Sequence, residues 1–228
     1  GPVFAVLFFV GMLMAGLFPP QSPGRSAHQV AAFWADHATV KRLGLMLMMI
    51  ATGFTVPLAA AVAVQLKRIE GDFSPMTYIQ LIGAAMGGVA ILVPTFVFCA
   101  AAFRPDRAPA ITQAIDDIAW IPFVMNYPPA FLQCVSVAVC ALSRRNATQI
   151  LPRWVGYYNL WVAFLFIPGG LVVFFKHGAF AWNGLLAFWL AAVLFGSWWI
   201  VMCIVVRKAA LAMPEPAPEA EENVLVAT

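Results

Sequence analysis

The chain has 228 residues, 63% of them hydrophobic and 10% charged, with a formal net charge of +3. Soluble domains are about 45–50% apolar and about 25% charged, so this composition excludes a soluble globular domain, a disordered chain and a nucleic-acid binder. The 13 basic residues sit in short connections between apolar runs, where they report membrane topology rather than a polyanionic partner.

A hydrocarbon core of about 30 Å takes about 20 apolar residues of helix. Six runs are candidates: 3–18, 43–66, 78–103, 118–142, 155–175 and 182–206. They are continuously apolar rather than alternating, which excludes barrel strands. The expected fold is all-α: one polytopic transmembrane helical bundle over 1–212, with six spans and one short interfacial helix.

The first run is short and stops at Pro19-Pro20. Because the chain opens at Gly1, the natural start of this helix is expected to lie upstream. In the connection that follows, Ser26 is an N-cap residue. Val30, Ala31, Phe33 and Trp34 give the next turns an apolar side. A short helix over about 28–37 is therefore expected to lie on the membrane surface. The second run carries Met46, Met48 and Met49, which read as packing residues rather than copper ligands.

The third run contains Gly83 and Gly87, a G-x-x-x-G face that admits close helix packing, within the chain or against a partner. It ends at Arg104-Pro105-Asp106-Arg107. Asp116 and Asp117 are then expected to cap the fourth helix and to pair with Arg104 or Arg107. The fourth run holds Pro122, Asn126, Pro128 and Pro129. Prolines remove donors and kink a helix, and bilayers tolerate broken backbone only where protein or a cavity covers it. A bend near Asn126 facing the bundle is expected, with Asn126 or Asn159 donating to the freed carbonyls. Any ligand cavity should lie there, lined by Phe123, Asn126, Tyr127 and Phe131, with Asn159 nearby.

Trp154, Tyr157, Tyr158, Trp161, Trp182, Trp198 and Trp199 lie mostly towards helix ends, as an interfacial aromatic belt requires. A bound lipid, quinone or pigment is the ligand class that would stack on such rings. The stretch 213–228 is acidic and Pro-rich and reads as disordered.

Ionisable groups mark proton relays and ion-coupled transport inside membranes, and none lies near the middle of a predicted helix. Phosphate-binding, nucleophile-elbow and zinc-protease motifs are missing. Cys99, Cys134, Cys140 and Cys203 lie in apolar runs without C-x-x-C spacing and read as packing residues. His28, His37 and His177 share one face with Asp36 and Asp106. Imidazole with carboxylate suits zinc or iron, but His28 and His37 are nine residues apart and do not meet on a helix. They read as surface histidines, with no metal.

With loops assigned alternately to two faces, one face carries seven basic residues and the other six. The positive-inside rule then favours cytoplasmic termini. The Phe33-Trp34-Ala35-Asp36-His37 loop, Arg104-Pro105-Asp106-Arg107, Pro152-Arg153-Trp154-Val155-Gly156 and Trp182-Asn183-Gly184 together resemble the small six-helix bacterial integral membrane proteins of unknown function. That resemblance implies a six-span fold in the bacterial inner membrane and no catalytic residues. The expected function is a non-catalytic accessory or structural subunit of a larger membrane complex, with lipids and other integral subunits as partners. The alternative is a small transporter or binder of an apolar, lipid-like ligand. A membrane enzyme using an extracytoplasmic His/Asp site ranks third.

Overall fold

The computed structural model describes residues 1–213. The acidic tail from Pro214 onward, expected to be disordered, lies outside the described residues. Among the described residues nine α-helices follow one another: α1 (Pro2–Ala15), α2 (Ala27–Ala35), α3 (Ala38–Gly53), α4 (Thr55–Glu70), α5 (Pro75–Phe103), α6 (Pro109–Met125), α7 (Tyr127–Leu142), α8 (Arg153–Phe166) and α9 (Leu190–Leu211). A 3₁₀ segment, Ile167–Phe174, continues α8, and a π-helical turn, Leu185–Trp189, opens α9.

Among the described residues, five elements are long and apolar enough to cross a membrane: Ala38–Glu70, Pro75–Phe103, Pro109–Leu142, Arg153–Phe174 and Leu185–Leu211. α1 has 14 residues, about 21 Å at 1.5 Å per residue, short of a core of about 30 Å. The protein is thus a membrane-type helical bundle with, among the described residues, five elements able to span a bilayer and one shorter apolar helix.

Two of the five crossings are broken. α3 gives way to α4 at Phe54, ahead of Pro57, and α6 gives way to α7 at Asn126, ahead of Pro128 and Pro129. α5 keeps going through Pro94. There the Thr95 hydroxyl donates to Ile91 O at 2.8 Å, which holds the turn while Pro94 withholds its donor.

The core is aromatic and small-residue packing. α1 crosses α3 at two glycines, where a Cβ on Gly11 would lie 2.6 Å from Gly44 O and one on Gly44 would lie 2.5 Å from Ala15 N. Any larger residue at either position pushes the backbones apart. Gly83 and Gly87 on α5 face α7. A Cβ on Gly83 would meet Pro129 O at 3.2 Å, and one on Gly87 would meet Gln133 Nε2 at 3.3 Å. The G-x-x-x-G face is therefore occupied within this chain.

The loops gather at two ends. At one end, Gln113 Nε2 donates to Arg25 O, Arg42 Nε to Ala102 O and Trp182 Nε1 to Gln21 O. At the other, the Glu70 carboxylate accepts from the amides of Met76 and Thr77 and so caps α5, while Arg145 donates to Glu70 O and Arg68 to Ala209 O. Gly1 packs against Cys203, two turns before the end of α9.

The helix in the first connection forms with a full capping box, Ser26 and Gln29 bonding each other's backbone amides. Its apolar side is not turned to lipid: Val30 and Trp34 are buried against the bundle, Trp34 completely. Lys41, the buried cation of α3, reaches back to the carbonyls of Phe33 and Asp36, and its ammonium lies 4.3 Å from the Phe33 ring centre. It ends α2 as a cation favours at a helix C-terminus and ties α2 to the bundle. The aromatic belt also needs correction. Trp154, Tyr157 and Trp161 are exposed as a belt requires, but Trp182, Trp198 and Trp199 are buried.

Candidate functional site

The break at Asn126 is where the sequence and a bilayer conflict most. Pro128 and Pro129 stand in the first turn of α7 and leave the carbonyls of Val124 and Met125 without their helical donors. Asn126 itself adopts φ −75° and ψ 46°, and its side chain makes no capping bond. The expected donors are not there. The Asn159 amide donates to Val155 O at 2.8 Å and its oxygen accepts from Trp198 Nε1 at 2.9 Å, so it clasps α8 to α9. The 3₁₀ segment covers the break instead. A Cβ on Gly169 would lie 3.1 Å from Val124 O, and one on Gly170 would lie 2.5 Å from Tyr127 Cε1. Only glycine lets the backbone come this close.

A cavity of about 180 Å³ lies beside this break. Phe123, Val124, Asn126 and Tyr127 form one wall, and Ala130, Gln133 and Cys134 continue it along α7. α1 contributes Phe8, Phe9 and Met12, α5 contributes Ala84, Gly87 and Gly88, and α9 contributes Phe195, Trp198 and Trp199. Of the residues expected around a cavity, Phe123, Asn126 and Tyr127 line it, while Phe131 and Asn159 do not. Phe131 follows Ala130, and one residue rotates a helix position by about 100°, which carries its ring round from the cavity side.

The lining is apolar, with Thr55, Asn126, Tyr127, Gln133 and the two indoles as its polar members and no charged residue. The Thr55 hydroxyl donates to Thr52 O, and Trp198 Nε1 is bound to Asn159. Trp199 differs: its indole nitrogen is buried without a hydrogen-bond partner. A second depression runs along the outer surface of the same break, between Ala85, Met86, Val89 and Val93 of α5 and Pro122, Met125 and Pro129. Asn126 borders both spaces.

The other polar cluster is a correction to the sequence reading. α6 begins at Pro109, so Asp116 stands two turns inside the helix rather than at its cap. It is 4% exposed and accepts from Trp34 Nε1 at 2.8 Å. It pairs with neither Arg104 nor Arg107; Arg107 donates to Ala100 O. The missed signal was Ala108-Pro109, since proline favours the first turn of a helix. The apolar run alone starts only at Ile118.

Among the described residues no three His, Cys, Asp or Glu side chains converge as a metal site needs. His28 and His177 are exposed. His37, with its backbone in the left-handed region at φ 46°, donates from Nδ1 to Asp36 at 2.6 Å. That bond holds the exposed Asp36 carboxyl below the usual carboxylate range. The four cysteines are free thiols. Comparison with protein-family models, curated proteins and solved structures finds no match for this chain. The functional reading therefore rests on the geometry of the chain alone.

Proposed function

We propose that this protein binds an apolar, lipid-like molecule within the membrane, in the cavity at the α6–α7 break. The observation that carries this reading is an uncharged, mostly aromatic and aliphatic space lined by residues of α1, α4, α5, α6, α7, α8 and α9. Ligand sites are concave, predominantly apolar and furnished with a few polar groups. Broken backbone at membrane depth persists where protein buries it.

The accessory-subunit reading draws less support. Its small-residue packing face, Gly83 and Gly87, is already covered by α7. An enzyme built on His28, His37 and His177 finds no convergent cluster among the described residues. We further propose six crossings, counting α1 as a short sixth. Its packing on α3 and the approach of Gly1 to the C-terminal half of α9 support termini on one face. The seven-to-six distribution of basic residues supports that face being cytoplasmic. The resemblance carried by Pro152-Arg153-Trp154-Val155-Gly156 supports a bacterial inner membrane.

The test is purification in mild detergent, followed by solvent extraction and mass spectrometry of what is released. The expected result is about one apolar molecule per chain, reduced at least fivefold in Gly88→Leu. A Cβ at Gly88 meets only Thr55 Oγ1, at 3.7 Å, so the larger side chain enters the cavity without displacing backbone. Equal retention by the variant rules out this cavity. Recovery of a stoichiometric protein partner and no small molecule returns the accessory-subunit reading to first place.

A further inference from the structure

We infer that two copies of this chain pair along the outward face of α8, helix against helix, in a parallel two-fold dimer. The inference does not depend on the cavity reading.

Spacing is the first observation. Trp154, Tyr157, Trp161 and Phe164 stand at i, i+3, i+7 and i+10, and all four are more than half exposed. Steps of three and four in alternation repeat every 3.5 residues, the period of a seam that faces a partner helix along its length. Val155, Asn159 and Val162 are buried on the other side of α8, so the seam points away from the bundle.

Chemistry separates this face from those that meet lipid. On α1 the outward side chains are Val3, Val6, Val10 and Leu13, and on α9 they include Ile200 and Ile204. Among the described residues, Trp161 is the only exposed Trp or Tyr more than five positions into its helix. Arg153, charged and exposed, marks the polar edge of this span. Trp161 lies about 12 Å further in, at 1.5 Å per residue, deeper than the headgroup level where interfacial rings sit. Trp34, Trp182 and Trp198 donate their indole N–H within the chain. The Trp161 side chain is 64% exposed; its N–H has no partner among the described residues, and hydrocarbon supplies none.

The same face carries the missing acceptor. Tyr157 stands one turn back and is 54% exposed, and its hydroxyl oxygen can accept. In a parallel seam each side chain inserts among four residues of the facing helix. For Trp161 those four include the partner subunit's Tyr157. Each Trp161 then donates to the Tyr157 of the other copy, twice by symmetry, as a self-complementary contact requires. Two copies inserted with the same orientation bring their α8 helices together in parallel, so neither copy has to be inverted. Area is sufficient as well. Large aromatic side chains bury about 150–250 Å² each. At these exposures the four rings offer about 1,000 Å² over the two copies, which is about what a specific interface must clear.

The test is photobleaching-step counting of singly labelled protein in liposomes over a series of protein-to-lipid ratios. Wild type is expected to pass from one step to two as the ratio rises, which gives a dissociation constant. Trp161→Phe keeps a ring and loses the N–H. It should weaken the pair about tenfold, the worth of two hydrogen bonds in a membrane. Tyr157→Phe removes the acceptor and should weaken it equally. The double variant should be no weaker than either single one, because both remove the same bonds. Trp161→Ala with Phe164→Ala should give single steps throughout, while Ile200→Val on α9 should match wild type. Single steps for wild type at every ratio overturn the dimer. Two steps that persist in the double-alanine chain overturn its placement on α8. Multiplying effects in the double phenylalanine variant overturn the Trp161–Tyr157 bond. Should the double-alanine chain fail to fold, the two phenylalanine variants decide the placement.

Discussion

Two spans of this bundle are broken by proline, and they resolve the break in opposite ways. Between α3 and α4 the bonding stays local, serving the carbonyls of Met49, Ala51 and Thr52, while Pro57 withholds its donor from Gly53 O. The Thr52 hydroxyl donates to Met49 O at 2.6 Å, the Thr55 hydroxyl donates to Thr52 O at 2.7 Å, and the Phe54 amide bonds Ala51 O at 2.9 Å. Every one of these partners lies within three residues, so this break stands on the lipid side with Gly53 and Phe54 exposed. Between α6 and α7 no hydroxyl is at hand. The Val124 carbonyl there is shielded by Gly169 of a distant segment, Gly170 packs on the Tyr127 ring, and the cavity lies beside them. A proline break at an exposed, locally bonded turn is a hinge in the outline of a helix. One packed against another segment leaves a space inside the bundle.

The comparison breaks most sharply if the second break is mended. Pro128→Ala with Pro129→Ala returns two amide donors to Val124 and Met125 and should let α6 and α7 run on as one helix. Ligand occupancy, read by native mass spectrometry, is expected to fall more than tenfold; unchanged occupancy would show that the break does not create the cavity. Next in size is Asn159→Leu. It leaves the Trp198 indole buried without an acceptor, at a cost of about 1–3 kcal/mol, measured by reversible unfolding in mixed micelles. The spin-label distance across the α6–α7 break should not change, because Asn159 serves the α8–α9 clasp. A changed distance would return Asn159 to the bend. Thr52→Val with Thr55→Val should cost about 1–2 kcal/mol, since a hydrogen bond within a membrane protein is worth about 0.6 and at most about 1.7 kcal/mol. A neutral result would mean that water or lipid headgroups already serve those carbonyls. Smallest of all is Asn126→Ala. With no capping bond to lose, stability should stay within about 0.5 kcal/mol of wild type, and a larger loss would reveal a bond this geometry lacks.

The bend itself was legible because it is a local event: two prolines in one turn have one outcome wherever they occur. Phe123, Asn126 and Tyr127 flank it in sequence and could be read with it. Phe131 could not, because a bend resets which face of the following helix points inward. The opposing walls from α1, α5 and α9 were hidden for another reason, since helix neighbours in a bundle are set by packing and not by spacing along the chain. The same limit applied to the glycines. Gly83 and Gly87 announced a close contact by their i, i+4 pattern, whereas Gly11 and Gly44 meet as single residues on different helices. Hydropathy also drew its own boundary in the wrong place. By starting the fourth helix at 118 it left Asp116 outside as a cap, when Pro109 had already begun the helix and set that carboxylate beneath Trp34.

The bond between Trp34 and Asp116 joins residues 82 positions apart, and that separation has a meaning for how the chain is made. At roughly 5–20 residues per second of synthesis, Trp34 waits about 4–16 seconds for its acceptor to be added. Gln21 waits longer still, for Trp182, 161 residues on. Through that interval the first connection, although earliest off the ribosome, has its capping box but not its anchor. It is closed from behind by later helices, so one end of the bundle is completed in the reverse of the order in which its parts were translated.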